Sequence, residues 1–344
     1  MKEARLYERL GGYATRCLTC ERRCLIKPGQ RGFCKTRLNI DGKLYTLVYG
    51  DLNAISANPI EKKPFFHFYP GSLALTFSTH SCNFPCPWCQ NWELSRSIPD
   101  PSRARFVPPS ELLDLATLEG CQGLSVSFTE PLMLFEYSLD VFPMAKRLGL
   151  YNNYVSNGYM TLEALRMLIE AGMDAIKFDV KGDADAVRLF CNADVEIVWR
   201  NASEARRLGA HVEVVNLVIP DVNDDEACLS EIVERHLKTL GPEVPLHFTR
   251  YYPAYKFDKP PTPVKVLEKA CEMARRMGAY YVYIGNVPGH KYENTYCPSC
   301  GEVLIKRYGL SVIQIRLRED LKCPNCGREI PIVGKAVVRK GIFW

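Results

Sequence analysis

The sequence predicts an α/β fold: repeated βα units that curl a parallel sheet into a partial barrel of the (β/α)6 type, with a small cysteine-rich module at each end. Three observations predict it. From residue 73 to residue 285, strand-like apolar runs alternate with helical patterns about six or seven times, and such repetition implies a parallel sheet with helices outside it. That number is too large for a small open sheet and slightly small for a closed eight-stranded barrel. Eleven of the 15 cysteines fall into three tight groups, two of them outside the βα region. The boundaries expected are 1–70 for an N-terminal cysteine-rich module and lead-in, 71–290 for the barrel and 291–344 for a C-terminal module.

The elements follow in order. LALTFST (73–79) reads as a strand ending at a cysteine loop, PPSELLDLATLEG (108–120) as a helix and GLSVSFT (123–129) as a strand. After a further helix comes strand NNYVS (152–156). Helix TLEALRMLIEAG (161–172) carries Leu162, Leu165, Leu168 and Ile169 on one face, with Thr161 as N-cap and Gly172 as stop. Strand DAIKFDV (174–180), a helix near 196–209, strand HVEVVNLVI (211–219) and a helix near 224–240 come next. Strand PLHFTRYY (245–252) leads to helix 262–278, with Thr262 expected as cap and Pro263 at its first position. YYVYIG (280–285) closes the series.

A chain of 344 residues, 47% hydrophobic, can bury a full core. The start MKEARLYERL is charged and lacks an apolar run, so no signal peptide is expected. No stretch of 18 or more apolar residues is present, so no membrane span is expected and the location expected is cytoplasmic. Thiols stay reduced there, and the grouped cysteines then call for metal rather than disulfides. Cys121, Cys191, Cys228 and Cys271 are scattered and read as small buried hydrophobes. The formal charge of +5 is offset once metal sites load, because four-thiolate zinc carries about −2 and a three-thiolate cluster about −1. Charge therefore gives little support to a polyanionic partner.

In parallel architectures the site lies at the C-terminal strand ends. Here those ends carry polar and cluster-forming groups: Thr129-Glu130-Pro131, Ser156-Asn157-Gly158, Asp179-Val180-Lys181, and His247 with Arg250 and Tyr251 on a late strand. His247 is the best-placed histidine to touch a cofactor or substrate. The first strand ends at CNFPCPWCQN, with Cys82, Cys86 and Cys89 spaced C-x3-C-x2-C. Zinc would want a fourth ligand, and a four-iron cubane normally takes four thiolates. Three thiolates hold three irons and leave the fourth free to chelate an amino acid.

That motif is the signature of the radical S-adenosylmethionine (SAM) superfamily, which this chain resembles. Trp88 is similar to the superfamily aromatic near the adenine. Thr129-Glu130-Pro131 resembles its Gly-Gly-Glu-Pro segment, with Phe128 and Thr129 in place of the glycines. Ser156-Asn157-Gly158 and Asp179-x-Lys181 look like segments of the glycyl-radical-enzyme activases, such as the pyruvate formate-lyase activator; Val155 stands where that family usually has Asp. Nearly end to end, the chain resembles the radical SAM protein of the AmmeMemoRadiSam system. The residues carrying this are 16–37, Pro59-Ile60-Glu61-Lys62-Lys63-Pro64, Cys89-Gln90-Asn91-Trp92, His247-Phe248-Thr249-Arg250 and 285–301.

The resemblance implies a 4Fe-4S cluster on Cys82, Cys86 and Cys89, and SAM cleavage to a 5′-deoxyadenosyl radical that abstracts hydrogen. It implies a SAM shell of Trp88, Glu130, Ser156, Asn157, Asp179, Lys181 and His247, with Lys181 close to the chemistry. The partners implied are an electron donor such as ferredoxin or flavodoxin, a protein substrate, and Memo-type and AMMECR-type proteins. An RNA- or protein-side-chain-modifying enzyme and a non-catalytic iron–sulfur/zinc metalloprotein are the alternatives.

Cys297-Pro-Ser-Cys300-Gly and Cys323-Pro-Asn-Cys326-Gly are paired knuckles with 22 residues between them, a zinc ribbon. Cys17, Cys20, Cys24 and Cys34 put four ligands within 18 residues. Thiolates suit zinc or an auxiliary iron–sulfur cluster, and spacing does not decide between them.

Overall fold

The computed structural model describes residues 1–339 and is built on one eight-stranded sheet. Its strands lie in chain order: β1 (Ala54–Pro59), β2 (Leu73–Ser78), β3 (Gly123–Val126), β4 (Tyr151–Ser156), β5 (Ala175–Asp179), β6 (His211–Val218), β7 (Leu246–Arg250) and β8 (Val282–Gly285). β2 to β8 are all parallel, so their C-terminal ends open on one side. β1 and β8 are the two edges, which leaves the barrel partial, as the number of βα units predicts. β1 runs antiparallel to β2. The sequence reading has no strand there, because AISANP mixes small and polar residues and ends in proline.

The connecting helices are α1 (Pro109–Leu118), α2 (Phe135–Arg147), α3 (Leu162–Glu170), α4 (Ala184–Cys191), α5 (Val195–Arg207), α6 (Glu226–Leu240) and α7 (Val264–Arg276). Thr161 caps α3 as expected, its hydroxyl accepting from the Ala164 amide. Leu165 and Leu168 are buried beneath it. Thr262 does not cap α7, whose N-cap is Pro263. Its hydroxyl accepts from Tyr251 N at 3.0 Å and donates to Val218 O at 2.6 Å. A buried hydroxyl between two strand ends satisfies more orphaned backbone there than it would at a helix start.

The flanking regions form three small antiparallel sheets. Two are N-terminal, over Lys2–Glu3, Lys43–Thr46 and Arg37–Ile40, and over Tyr7–Arg9, Thr15–Cys17 and Leu25–Ile26. The third, over Thr295–Tyr296, Val303–Tyr308 and Ser311–Ile315, is C-terminal. The N-terminal part is pinned to α2 by a buried ion pair, Arg37 to Glu136 at 2.7 Å. The C-terminal part is pinned by Arg307, which donates to Phe66 O at 2.8 Å and faces Glu61 at 3.6 Å.

Between β1 and β2 the chain dips beneath the sheet. Both oxygens of Glu213, on β6, serve this segment: they accept from the amides of Phe66 and His67 and from the imidazoles of His211 and His247, all within 3.0 Å. Burial keeps the His247 imidazole below its ordinary range, so it donates as a neutral ring. Removing the carboxylate orphans four donors at once, three of them buried and His211 partly so. We expect Glu213→Ala to lose about 3–5 kcal/mol of stability. Urea unfolding checks this, and a midpoint within error of the parent chain would remove Glu213 from the scaffold.

Candidate active site

The strand ends surround a cavity of about 920 Å³. Its wall includes Cys82, Cys86, Trp88, Cys89, Glu130, Asn157, Asp179 and Lys181 from four different strand ends, and His247 from the start of β7 and not its C-terminal end.

The chain leaves β2 through Ser81, whose φ of 72° turns it sharply, and Ser81 N bonds to Leu94 O. The cysteine loop that follows is fastened on several sides. Arg22 of the N-terminal module donates to the carbonyls of Asn83, Cys191 and Asn192 at 2.6, 2.9 and 2.9 Å. Arg96 donates to Phe84 O at 2.7 Å. Asn91 reaches across to Phe128 O at 2.9 Å. Trp88 is buried between Phe190 and Phe257, with centroids at 5.2 and 5.6 Å.

The loop fits a cluster by its donors. Asn83 Nδ2, Trp88 Nε1 and Arg96 Nε are buried without a partner. Orphaned N–H groups around three thiols match the sulfur acceptors that a bound cluster presents. Burial pushes the Cys82 thiol up, so loading must expel protons. Cys191, expected only as a core residue, is buried but puts its sulfur 3.5 Å from that of Cys86. No sequence signal marks this, since α4 brings it in from 105 residues away.

Glu130 follows β3. Its carboxylate accepts from Ser156 Oγ at 2.8 Å, Asn157 N at 2.9 Å and Leu132 N at 3.2 Å. These take three of about four lone-pair sites and leave one for a ligand. Ser156 thus positions Glu130. Burial pushes the Glu130 carboxyl up to about 7. Asn157 sits between the strand ends and the loop, donating to Asn83 Oδ1 at 2.7 Å.

Asp179 lies between two lysines, Lys177 in very close contact and Lys181 at 2.9 Å. Burial alone would raise its carboxyl, but the lysines hold it down to about 2. Lys177 was absent from the expected site. Its signal was there: Lys177 and Asp179 alternate on one face of β5, and Lys181 follows two residues past the strand's end. His247 faces the cavity, while its Nε2 is held by Glu213 at 2.7 Å. His67 and His80 are hydrogen-bonded, to Tyr283 and Ser97 respectively, as isolated histidines usually are.

Of the outer cysteine groups, the C-terminal one is compact. Cys297, Cys300, Cys323 and Cys326 bring their sulfurs within 4.8 Å of one another, the only such set among the described residues. Metal–sulfur bonds of about 2.3 Å place tetrahedral sulfurs about 3.8 Å apart, so this site fits a single ion. Cys17, Cys20, Cys24 and Cys34 do not meet that span. They are neighbours all the same. The Cys20 thiol is raised first by burial and then by Cys17, Cys34 and Cys24. Among the described residues no helix is long and apolar enough to cross a membrane.

Comparison with known proteins agrees with this geometry. Residues 76–229 match the family model of the radical SAM superfamily. The uncharacterized protein MJ0808 of Methanocaldococcus jannaschii is 43% identical over 335 residues, covering 97% of this chain and all of that one. A radical SAM methyltransferase from Sphaerobacter thermophilus shares the fold at 14% identity, with a TM-score of 0.50 over 64% of this chain and 68% of that one. Streptococcus suis SuiB, in complex with precursor peptide SuiA, matches at 12% identity and a TM-score of 0.50, over 66% of this chain and 51% of that one.

Metal binding and folding of compact thiolate sites are coupled. We expect the double variant Cys297→Ser, Cys300→Ser to lose one equivalent of tetrahedral metal and to unfold at a lower temperature. Elemental analysis with a thermal melt checks this; unchanged metal content would exclude the site.

Proposed function

We propose that this chain, which belongs to the family of the Methanocaldococcus protein and matches the radical SAM superfamily over residues 76–229, is an activating-enzyme-like radical SAM enzyme acting on a protein. The observation that carries this reading is the convergence of Cys82, Cys86 and Cys89 with Glu130, Asn157, Asp179 and Lys181 on one cavity. A bound 4Fe-4S cluster and SAM supply one-electron cleavage to methionine and a 5′-deoxyadenosyl radical that takes hydrogen from the substrate.

The chain's residues hold and orient. Cys82, Cys86 and Cys89 ligate three irons. Glu130, fixed by Ser156 and the Asn157 amide, receives the SAM ammonium at its remaining lone pair. The Lys177–Asp179–Lys181 group lies beside this pocket and sets its charge, and Lys181 is close enough to Cys86 for each to bias the other. Trp88 forms an apolar wall that excludes water.

A protein substrate is favoured by architecture, since the C-terminal module contributes Tyr308, Gly309, Leu310 and Ile313 to the cavity wall. Asp179-x-Lys181 adds the likeness to activases. The same reading gives zinc at the C-terminal thiolates, zinc or an auxiliary cluster at Cys17–Cys34, and ferredoxin or flavodoxin as electron donor. It also includes association with Memo-type and AMMECR-type proteins.

Anaerobic reconstitution tests the chemistry. Reduced protein should convert SAM to 5′-deoxyadenosine, and Cys86→Ala should abolish it; product from that variant would refute the assignment. The pH dependence tests the pocket. With the free carboxyl at about 7, SAM binding below that pH must expel a proton. Affinity should be roughly tenfold weaker at pH 6 than at pH 8. Titrations should show this slope in the parent chain and none in Glu130→Gln.

A further inference from the structure

Lys63 stands apart from every other buried lysine of the site. It is 1% exposed and lines the cavity. Its ammonium lies over the Phe128 ring, 4.1 Å from the centroid. Among the described residues it has no carboxylate partner. The acids that line the cavity face other groups: Asp179 is shared by Lys177 and Lys181, and Glu61 meets Arg307 and Gly71 N through Oε1, while its buried Oε2 pairs with no donor among the described residues, Lys63 included. A cation held in an apolar wall with only a ring face opposite it is stable where an anion arrives to meet it.

Phe128 strengthens the inference. It stands at φ +70°, a region that bulky side chains rarely occupy. Its carbonyl is pinned by Asn91, and its ring closes over Lys63. The strained turn thus places an aromatic face beneath the amine, two residues before Glu130.

We propose that Lys63, backed by Phe128, is a substrate-recognition site that binds a carboxylate of the protein substrate, an acidic side chain seated beside the reacting group. This rests on the radical SAM reading given above. A carboxylate is favoured over a nucleic-acid phosphate because one amine neutralises one such charge, whereas a phosphate backbone calls for an array of cations. Burial, followed by Lys62 and Lys177, holds the amine well below its ordinary range, and an arriving carboxylate acts in the opposite direction by favouring the charged form.

The test uses the reconstituted full chain loaded with SAM, with N-acetylglutamate amide and N-acetylglutamine amide as probes, measured by saturation-transfer NMR. The parent chain should bind the acid at least tenfold more tightly than the amide. In Lys63→Met that preference should fall to within twofold, while SAM affinity stays within threefold. The variant removes an unpaired buried charge, so its melting temperature should not fall; if it fails to fold, Lys63→Gln carries the same comparison. No preference in the parent chain, or one that survives the substitution, overturns the proposal. So does a tenfold loss of SAM affinity, which would make Lys63 a contact to the carboxylate of SAM itself. Inorganic phosphate binding more tightly than the acid, and depending on Lys63, would overturn it in favour of a phosphate-bearing partner. The 5′-deoxyadenosine assay on the parent chain separates failure of this proposal from failure of the radical SAM reading.

Discussion

The carboxylate of Glu213 is the constraint on which the rest of the fold depends. A partial barrel has an unfilled interior and two free edges. Segment 60–69 fills that interior, but it brings backbone amides and imidazoles into a region without water. Glu213 meets two amides of the segment, at Phe66 and His67, together with the imidazoles of His211 and His247 on the neighbouring strands. Once the segment is fixed, Phe66 O is available to Arg307, and the C-terminal sheet docks. The backbone of Tyr69 and Val333 then pairs along the same line. The C-terminal module therefore reaches the cavity through a chain of hydrogen bonds that starts on β6.

The N-terminal module meets the site differently. Arg22 uses one guanidinium to gather the carbonyls of Asn83, Cys191 and Asn192. These belong to the cysteine loop and to the end of α4. A planar fork of donors suits this job, and a lysine could not span it. Both modules thus act on the barrel by holding irregular backbone in place, one at the cysteine loop and one at segment 60–69. In both modules an arginine does the positioning, Arg22 at one end and Arg307 at the other.

Much of this was legible in the sequence because it depends on local pattern. The βα alternation, the three-cysteine loop at a strand end and the paired C-terminal knuckles are short-range signals, and the structure places them as read. Residues whose roles arise from distant packing were harder to read. Thr262 looked like a helix cap because Pro263 follows it, yet two strand ends claim its hydroxyl. His247 was expected at a C-terminal strand end, yet it is the second residue of β7 and is held by Glu213, which lies 34 residues away with no spacing rule to link them. Cys191 lay among scattered cysteines with nothing to separate it from the others. Lys63 sits in a motif noticed only for its resemblance, and its missing partner is visible only once every neighbouring acid has been assigned.

Phe128 has one more consequence. Glycine at this position would relax the main chain, a gain of about 1–2 kcal/mol in conformational strain. It would also erase the ring that lies under Lys63. Main-chain comfort and side-chain contact therefore pull this residue in opposite directions. A programme of stabilisation guided by backbone geometry alone would choose position 128 early, and it would trade a relaxed turn for a bare amine in an apolar wall.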